Sequence, residues 1–241
     1  MLIAGNISAD QARLSINSHF KPLAAGERYD QAWRDQPPLE QLQRQVTFAD
    51  DQVATERLGY MSLSKWQGSA TTRNGTHDRL QDDYTAGMLE RILGSALPGS
   101  LAKPLRLDEF VLRRFELSVL NMLSGHVEFA LWAEPDDGVA AATAADKLQE
   151  ALRALAVQGV VEKTLERVRN RWLQTETRLT SDLGHQEYRF FRGLSLGQTP
   201  NNVADHLARI EAVSLKDVQS LLRVIAAPER KITGFITPAG G

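Results

Sequence analysis

The chain has 241 residues, 42% of them apolar and 24% charged, with a net charge of −2. That balance suits a globular protein of one large domain or two, excludes a disordered or collagen-like chain, and gives no global reason to expect a polyanion as partner. With no cysteine, disulfides, thiol nucleophiles and cysteine-ligated metals are excluded, and no run of about 18 apolar residues is present to span a membrane.

In chain order, residues 2–5 read as a short apolar strand ended by Gly5-Asn6, and the abrupt start makes Met1 look like a fragment boundary. Ser8 and Gln11 have the spacing of a helix capping box, and Ala12, Ile16 and Phe20 fall on one helical face until Pro22. Residues 27–43, with Pro37-Pro38, read as an extended linker. The chain therefore divides into a strand–helix unit over 1–26, this linker, and an α+β lobe over 44–241.

Two β-like runs follow at 44–50 and 53–66, then a loop over 67–76 carrying Asn74-Gly75. A helix is expected over 78–94, burying Leu80, Tyr84, Met88 and Ile92. After the Pro98–Pro104 stretch, a short helix over 107–114 leads into two strands, 116–123 and 126–133, joined as a hairpin at Ser124-Gly125. The remainder reads as helices over 139–157, 161–180, 182–196, 201–210 and 215–226. Gly159 closes the first of these, and Ser214 with Asp217 forms a second capping box. A last strand covers 231–236. Paired strands followed by bunched helices point to an antiparallel sheet layered against a helix bundle.

Both zinc-peptidase helix motifs need two imidazoles on one helical face beside a carboxylate that activates the metal-bound water. His19, His77, His126, His185 and His206 are too far apart in the chain to supply either motif. His77-Asp78 with Asp82-Asp83 reads as acidic helix entry favoured by the N-terminal dipole rather than as a metal cluster. His126 with Glu128 reads as a solvated strand face, and His185 with Glu187 as the start of an amphipathic helix. Arg167, Arg169 and Arg171 alternate on a helix with Glu162 and Glu166 nearby, which suits a solvated face better than a nucleic-acid stripe. Trp132 and Trp172 read as core aromatics. No nucleophile elbow, phosphate loop or dinucleotide fingerprint is present. On the residues alone, this is an α+β domain without an evident catalytic site.

Three segments taken together resemble the pitrilysin/insulinase family of zinc metallopeptidases. They are LIAGNISADQARLSINSHFKPL; YTAGMLERILGS with FVLRRFELSV; and AVQGVVEKTLERVRNRWLQ with IEAVSLKDVQSLLRVIAAPERKITGFITP. The resemblance implies an α+β lobe of the pitrilysin or mitochondrial-processing-peptidase type, non-catalytic and metal-free. Zinc is then expected only in a separate catalytic lobe, of the same polypeptide or of a partner subunit, on which this chain would pack to line a peptide chamber. No nucleic-acid or membrane partner is implied. A family arginine followed seven residues later by a tyrosine grips substrate. Here Arg113 or Arg114 would match the arginine, with Leu120 or Asn121 where the tyrosine belongs, so Arg113, Arg114 and Asn121 are the substrate-binding candidates and no residue is a catalytic one. The alternative is a degenerate structural or interaction subunit without a role in proteolysis. The compartment stays open between the periplasm and the cytoplasm of a bacterium.

Overall fold

A computed structural model describes residues 5–23, 42–71, 75, 77–122, 125–195 and 199–239. The strand expected over 2–5 and nearly all of the linker expected over 27–43 lie outside the described residues. Helix α1, Ala9–Phe20, is closed by the expected capping box: the Gln11 amide donates to Ser8 Oγ at 3.2 Å and the Ser8 amide to Gln11 Oε1 at 3.0 Å. It buries none of its own residues.

Five strands make one sheet in the order β1-β5-β2-β4-β3. They are β1 Leu42–Asp50, β2 Arg57–Lys65, β3 Leu112–Asn121, β4 His126–Pro135 and β5 Arg230–Pro238. The α+β class stands as expected from the sequence. The sheet is mixed, however, because β1 runs parallel to β5 while every other pair is antiparallel. A parallel pair needs a crossover connection, and here nearly the whole lobe supplies it.

The helices are α2 Arg79–Gly94, α3 Ala141–Gln158, α4 Glu162–Arg178, α5 Leu183–Ser195, α6 Pro200–Ala204, α7 His206–Glu211 and α8 Leu215–Ala226. The stretch expected as one helix over 201–210 is thus two short ones. Helices α3 and α8 pack on β2, and α2 packs on β3. Each turns an apolar stripe inward: Leu148, Leu152 and Leu155 on α3, and Val218, Leu221, Leu222 and Ile225 on α8. On the sheet, Leu58 and Tyr60 of β2 and Phe129 and Leu131 of β4 meet them, and Tyr60 sets its ring edge-on to Phe129 with centroids 5.9 Å apart. Truncating a fully buried residue such as Leu148 to alanine would cost about 2–5 kcal/mol.

One expected element is replaced. Residues 107–114 are not a helix. The helical turn is earlier, a π-helical turn over Lys103–Asp108 that Pro104 opens at its first positions. Phe110 then adopts a positive φ of 51° and the chain enters β3 at Leu112. Local helix propensity in this stretch is weak against a ladder in which β3 pairs with β4 from Leu112 to Asn121.

Candidate functional site

The three residues singled out as substrate-binding candidates all sit on β3, and they are not brought together. Arg113 pairs with Asp137, and Arg114 donates to Glu134 Oε1 at 2.7 Å on the neighbouring strand. Asn121 lies at the other end of β3, seven residues from Arg114, which at strand rise is about 24 Å away. It is buried, with Nδ2 donating to the Arg79 carbonyl at 3.0 Å and its own carbonyl accepting from Arg192 Nη2 at 2.8 Å. Asn121 therefore ties β3 to α2 and α5. The helical arginine that precedes β3 is Arg106, and seven residues beyond it stands Arg113.

The histidines also separate. His77 Nε2 lies 2.6 Å from Asp82 Oδ2, Asp78 caps α2 and pairs with Arg209 at 2.9 Å, and Asp83 pairs with Arg192 at 2.6 Å. Each acid of that stretch thus has its own partner, in keeping with helix entry. Burial pushes the Asp82 carboxyl up, even though His77 lies beside it and the Gly68 amide donates to it. His126 is buried and Glu128 half-buried, which corrects the solvated-face expectation; Glu128 is flanked by Leu63 and Leu120 on the adjoining strands. Among the described residues, no three His, Asp or Glu side chains come together as a metal-ligand set.

The helix side holds one dense polar group. Glu176 of α4 is buried and accepts from Trp172 Nε1 at 3.0 Å and shares a 2.7 Å contact with His185 Nε2, while His206 Nε2 stands 3.9 Å away. Burial alone would raise the Glu176 carboxyl, but the bonds from His185 and Trp172 and the nearby imidazoles outweigh it and hold the group below the ordinary glutamate range. Trp172 is buried as expected, stacked on Tyr84 at 5.8 Å with Arg91 3.9 Å above its ring. This group borders a cleft of about 250 Å³. Its acids are spent on internal partners, and no nucleophile adjoins them, so it locks α4 to α5 and α7 rather than performing chemistry.

The sheet's other face is the larger feature. Residues paired across strands share a face, so Met61, Ile232 and Ala130 form one row. Trp132 with Gly59 forms the next, and Phe48 with Ile236 the one beyond. No described helix covers these rows. Phe48 and Trp132 are each 61% exposed, Ile232 42% and Met61 41%. Trp132 was expected in the core; instead its ring lies across Gly59, where an added Cβ would come 2.7 Å from it. Glycine at 59 is what lets the indole lie flat on the sheet. These apolar rows, which end on Arg44 beside Ile232 and on Glu116 beside Trp132 and are rimmed by Arg57, Glu134 and Arg114, mark an interaction surface rather than scattered surface apolar residues.

The strand order and helix layer match solved proteases. A protease from Helicobacter pylori superposes with a TM-score of 0.75 at 13% identity, covering 98% of this chain and 54% of that one. The fold is that of an insulinase-type protease lobe. A predicted insulinase family protease from Yersinia pestis superposes with a TM-score of 0.62 at 13% identity, over 98% of this chain and 51% of its own. An inactive peptidase domain from Bordetella parapertussis gives 0.59 at 15% identity, over 77% of this chain and 91% of its own. The chain thus spans about half the length of the first two. No family model and no curated protein matches the sequence.

Proposed function

We propose that this chain is a non-catalytic lobe of an insulinase-type metalloendopeptidase, which packs on a catalytic lobe and lines its peptide chamber. The observation that carries the reading is the open sheet face around Trp132, Met61, Ile232 and Phe48, whose large apolar side chains stand exposed on one side of the sheet. The match to an inactive peptidase domain is in keeping with it. In this reading zinc belongs to the catalytic lobe, and this chain supplies surface alone.

The test is reconstitution with an insulinase-type lobe that carries a His-x-x-Glu-His motif, encoded in the same polypeptide or beside it. A 1:1 complex on size exclusion and a gain in cleavage of unfolded peptides are expected, and Trp132→Glu should abolish both. No complex and no gain would sink the proposal. A second reading, a structural subunit without a role in proteolysis, draws on one observation: Arg113 and Arg114 are already engaged by Asp137 and Glu134, and Asn121 by main chain. A stable complex without any gain in cleavage is its signature.

A further inference from the structure

The cleft of about 250 Å³ between α2, α4, α5 and β3 holds a cation that the lobe itself does not use. Three acids and three arginines line it. The acids are all committed. Asp83 takes Arg192 through both carboxylate oxygens, Glu90 Oε2 accepts the Val119 amide at 3.1 Å, and Glu176 holds the Trp172 indole and His185. Arg192 is thereby satisfied, and Arg91 lies over the Trp172 ring and donates to the Gly87 carbonyl at 3.0 Å.

Arg189 of α5 has neither kind of partner. It is half-buried and makes no ion pair among the described residues, and its Nε and Nη1 are shielded from solvent without a hydrogen-bond acceptor. The Phe190 ring, its centroid 5.8 Å from the guanidinium carbon, is at the limit of a cation–π contact. A shielded guanidinium without an acceptor lowers the stability of the fold. Two acids of the same wall are nevertheless spent on an amide, an indole and an imidazole, and this cation is left open.

A second donor stands with it. Tyr84 is buried against Trp172, and its hydroxyl makes no hydrogen bond to protein among the described residues. Of the charges around that hydroxyl, Arg189 acts on it most strongly, ahead of Arg209, Glu176 and Asp83, so guanidinium and phenol converge on one part of the cleft. Burial pushes the phenol up to about 12, which keeps its proton in place as a donor through the neutral range.

The wall also limits what can be bound. Three carboxylates stand around the cleft, so a ligand with two negative charges meets repulsion that a single charge largely avoids. The volume lies below the roughly 300–1,000 Å³ of sites for drug-sized molecules. The remaining surface is mostly apolar, with Leu80, Val119 and the exposed Tyr188 ring among it.

We propose that this cleft binds a small monocarboxylic acid, its carboxylate accepting from Arg189 and the Tyr84 hydroxyl and its short apolar body lying against Leu80, Val119 and Tyr188. The bond to Arg189 forms at Nη2, the guanidinium nitrogen that the protein does not shield. No main-chain pairing is involved, because Glu90 already takes the Val119 amide. The bound acid would fasten α5, which buries only Gly193 among its described residues, to α2. The site lies within this lobe and does not depend on a catalytic partner.

The test is an NMR titration of the nitrogen-15-labelled full chain with benzoate, beside benzamide as the neutral counterpart and phthalate as the dianion. Saturable shifts of the Trp172 indole and Val119 amide signals are expected with benzoate, and binding about tenfold weaker or less with the other two. Arg189→Gln should weaken benzoate by about tenfold or more, and Tyr84→Phe by about threefold to tenfold, as charge-assisted and neutral hydrogen bonds differ. Thermal unfolding supplies a second readout. Arg189→Gln should leave the ligand-free midpoint unchanged or raise it, because it removes an unpaired cation, and benzoate should raise the midpoint of the wild type alone. A lower midpoint in the variant would reveal an internal partner for Arg189 and overturn the proposal. So would an absence of saturation, shifts undiminished in Arg189→Gln, or benzamide or phthalate binding as tightly as benzoate.

Discussion

Replacing Glu176 with alanine should be among the most damaging single changes available in the helix layer. The carboxylate is 7% exposed, accepts the Trp172 indole at 3.0 Å and meets His185 Nε2 at 2.7 Å. Removing it strands the buried Trp172 indole N–H, at about 1–3 kcal/mol, and takes from the partly exposed His185 a bond of about 1 kcal/mol that water replaces only in part. Against that, the buried charge and its own desolvation cost disappear. The expected net loss is therefore about 2–4 kcal/mol, and about 1–2 kcal/mol for Glu176→Gln, which keeps one acceptor oxygen but turns an amide toward the second donor. Urea unfolding followed by far-UV circular dichroism reads the stability, and the Trp172 indole proton in an NMR spectrum reads the local bond. A Glu176→Ala midpoint within about 0.5 kcal/mol of wild type, the range of an ordinary surface change, would refute the idea that this carboxylate holds α4, α5 and α7 together.

The same group gives the lobe a pH dependence. Burial, with Arg189 adding positive potential nearby, holds His206 below its ordinary value. The unfolded chain then takes up that proton first, so stability falls as pH drops below about 6.5 toward the depressed folded value. Glu176 adds a second loss only below the ordinary carboxylate range, because its own folded value is depressed. Urea midpoints at pH 7.5 and 5.5 check this, and His206→Gln should flatten the difference between them; an equally steep drop in the variant would assign it elsewhere. Gly193→Ala tests the contact of α5 with α6. The new methyl would lie within 2.2 Å of Val203 Cγ2, so a loss of about 1–3 kcal/mol is expected where helix propensity alone would give a gain. Adding Val203→Ala should recover part of that loss in the same unfolding assay. Gly59→Ala should leave stability within about 1 kcal/mol, because the Trp132 ring it displaces is exposed and can swing. It should nevertheless weaken the complex proposed above on size exclusion, and an unaltered complex would remove Trp132 from the proposed interface.

What could be read from the sequence was what local chemistry decides. Ser8 with Gln11, Ser214 with Asp217 and Gly159 mark helix ends by residues that satisfy nearby backbone groups, and the structure places each at the cap expected of it. The hairpin partners β3 and β4 were legible for the same reason. Their outer boundary was not, because the strand that replaces the expected 107–114 helix is held by pairing with β4 rather than by its own propensity. The β1–β5 pair joins Leu42 to Arg230 in parallel, and no short window of sequence carries a signal for partners so far apart. Trp132 failed in another way. Its strand alternation was sound, but alternation gives two faces without saying which one the helices cover, and Trp132 falls on the uncovered one. The arginines of α4 were judged at spacing two, where residues diverge, whereas Arg167 and Arg171, at spacing four, share a face.

The division between the two faces of the sheet also explains why fold can persist where sequence identity is only 12–17% among the solved structures. Stability is carried by the inward rows, Leu58 and Tyr60 with Phe129 and Leu131, where a lost methylene is felt through close packing. The outward rows contribute little to that packing, so Phe48, Met61, Trp132 and Ile232 can change at small cost to the lobe itself. Large apolar residues kept at such positions gain nothing for an isolated lobe and invite non-specific association. Their presence is therefore better explained by a surface that is covered when the protein works than by the needs of folding. Substitutions along the inward rows should lower unfolding midpoints without altering partner binding in the folded fraction, and substitutions along the outward rows should do the reverse.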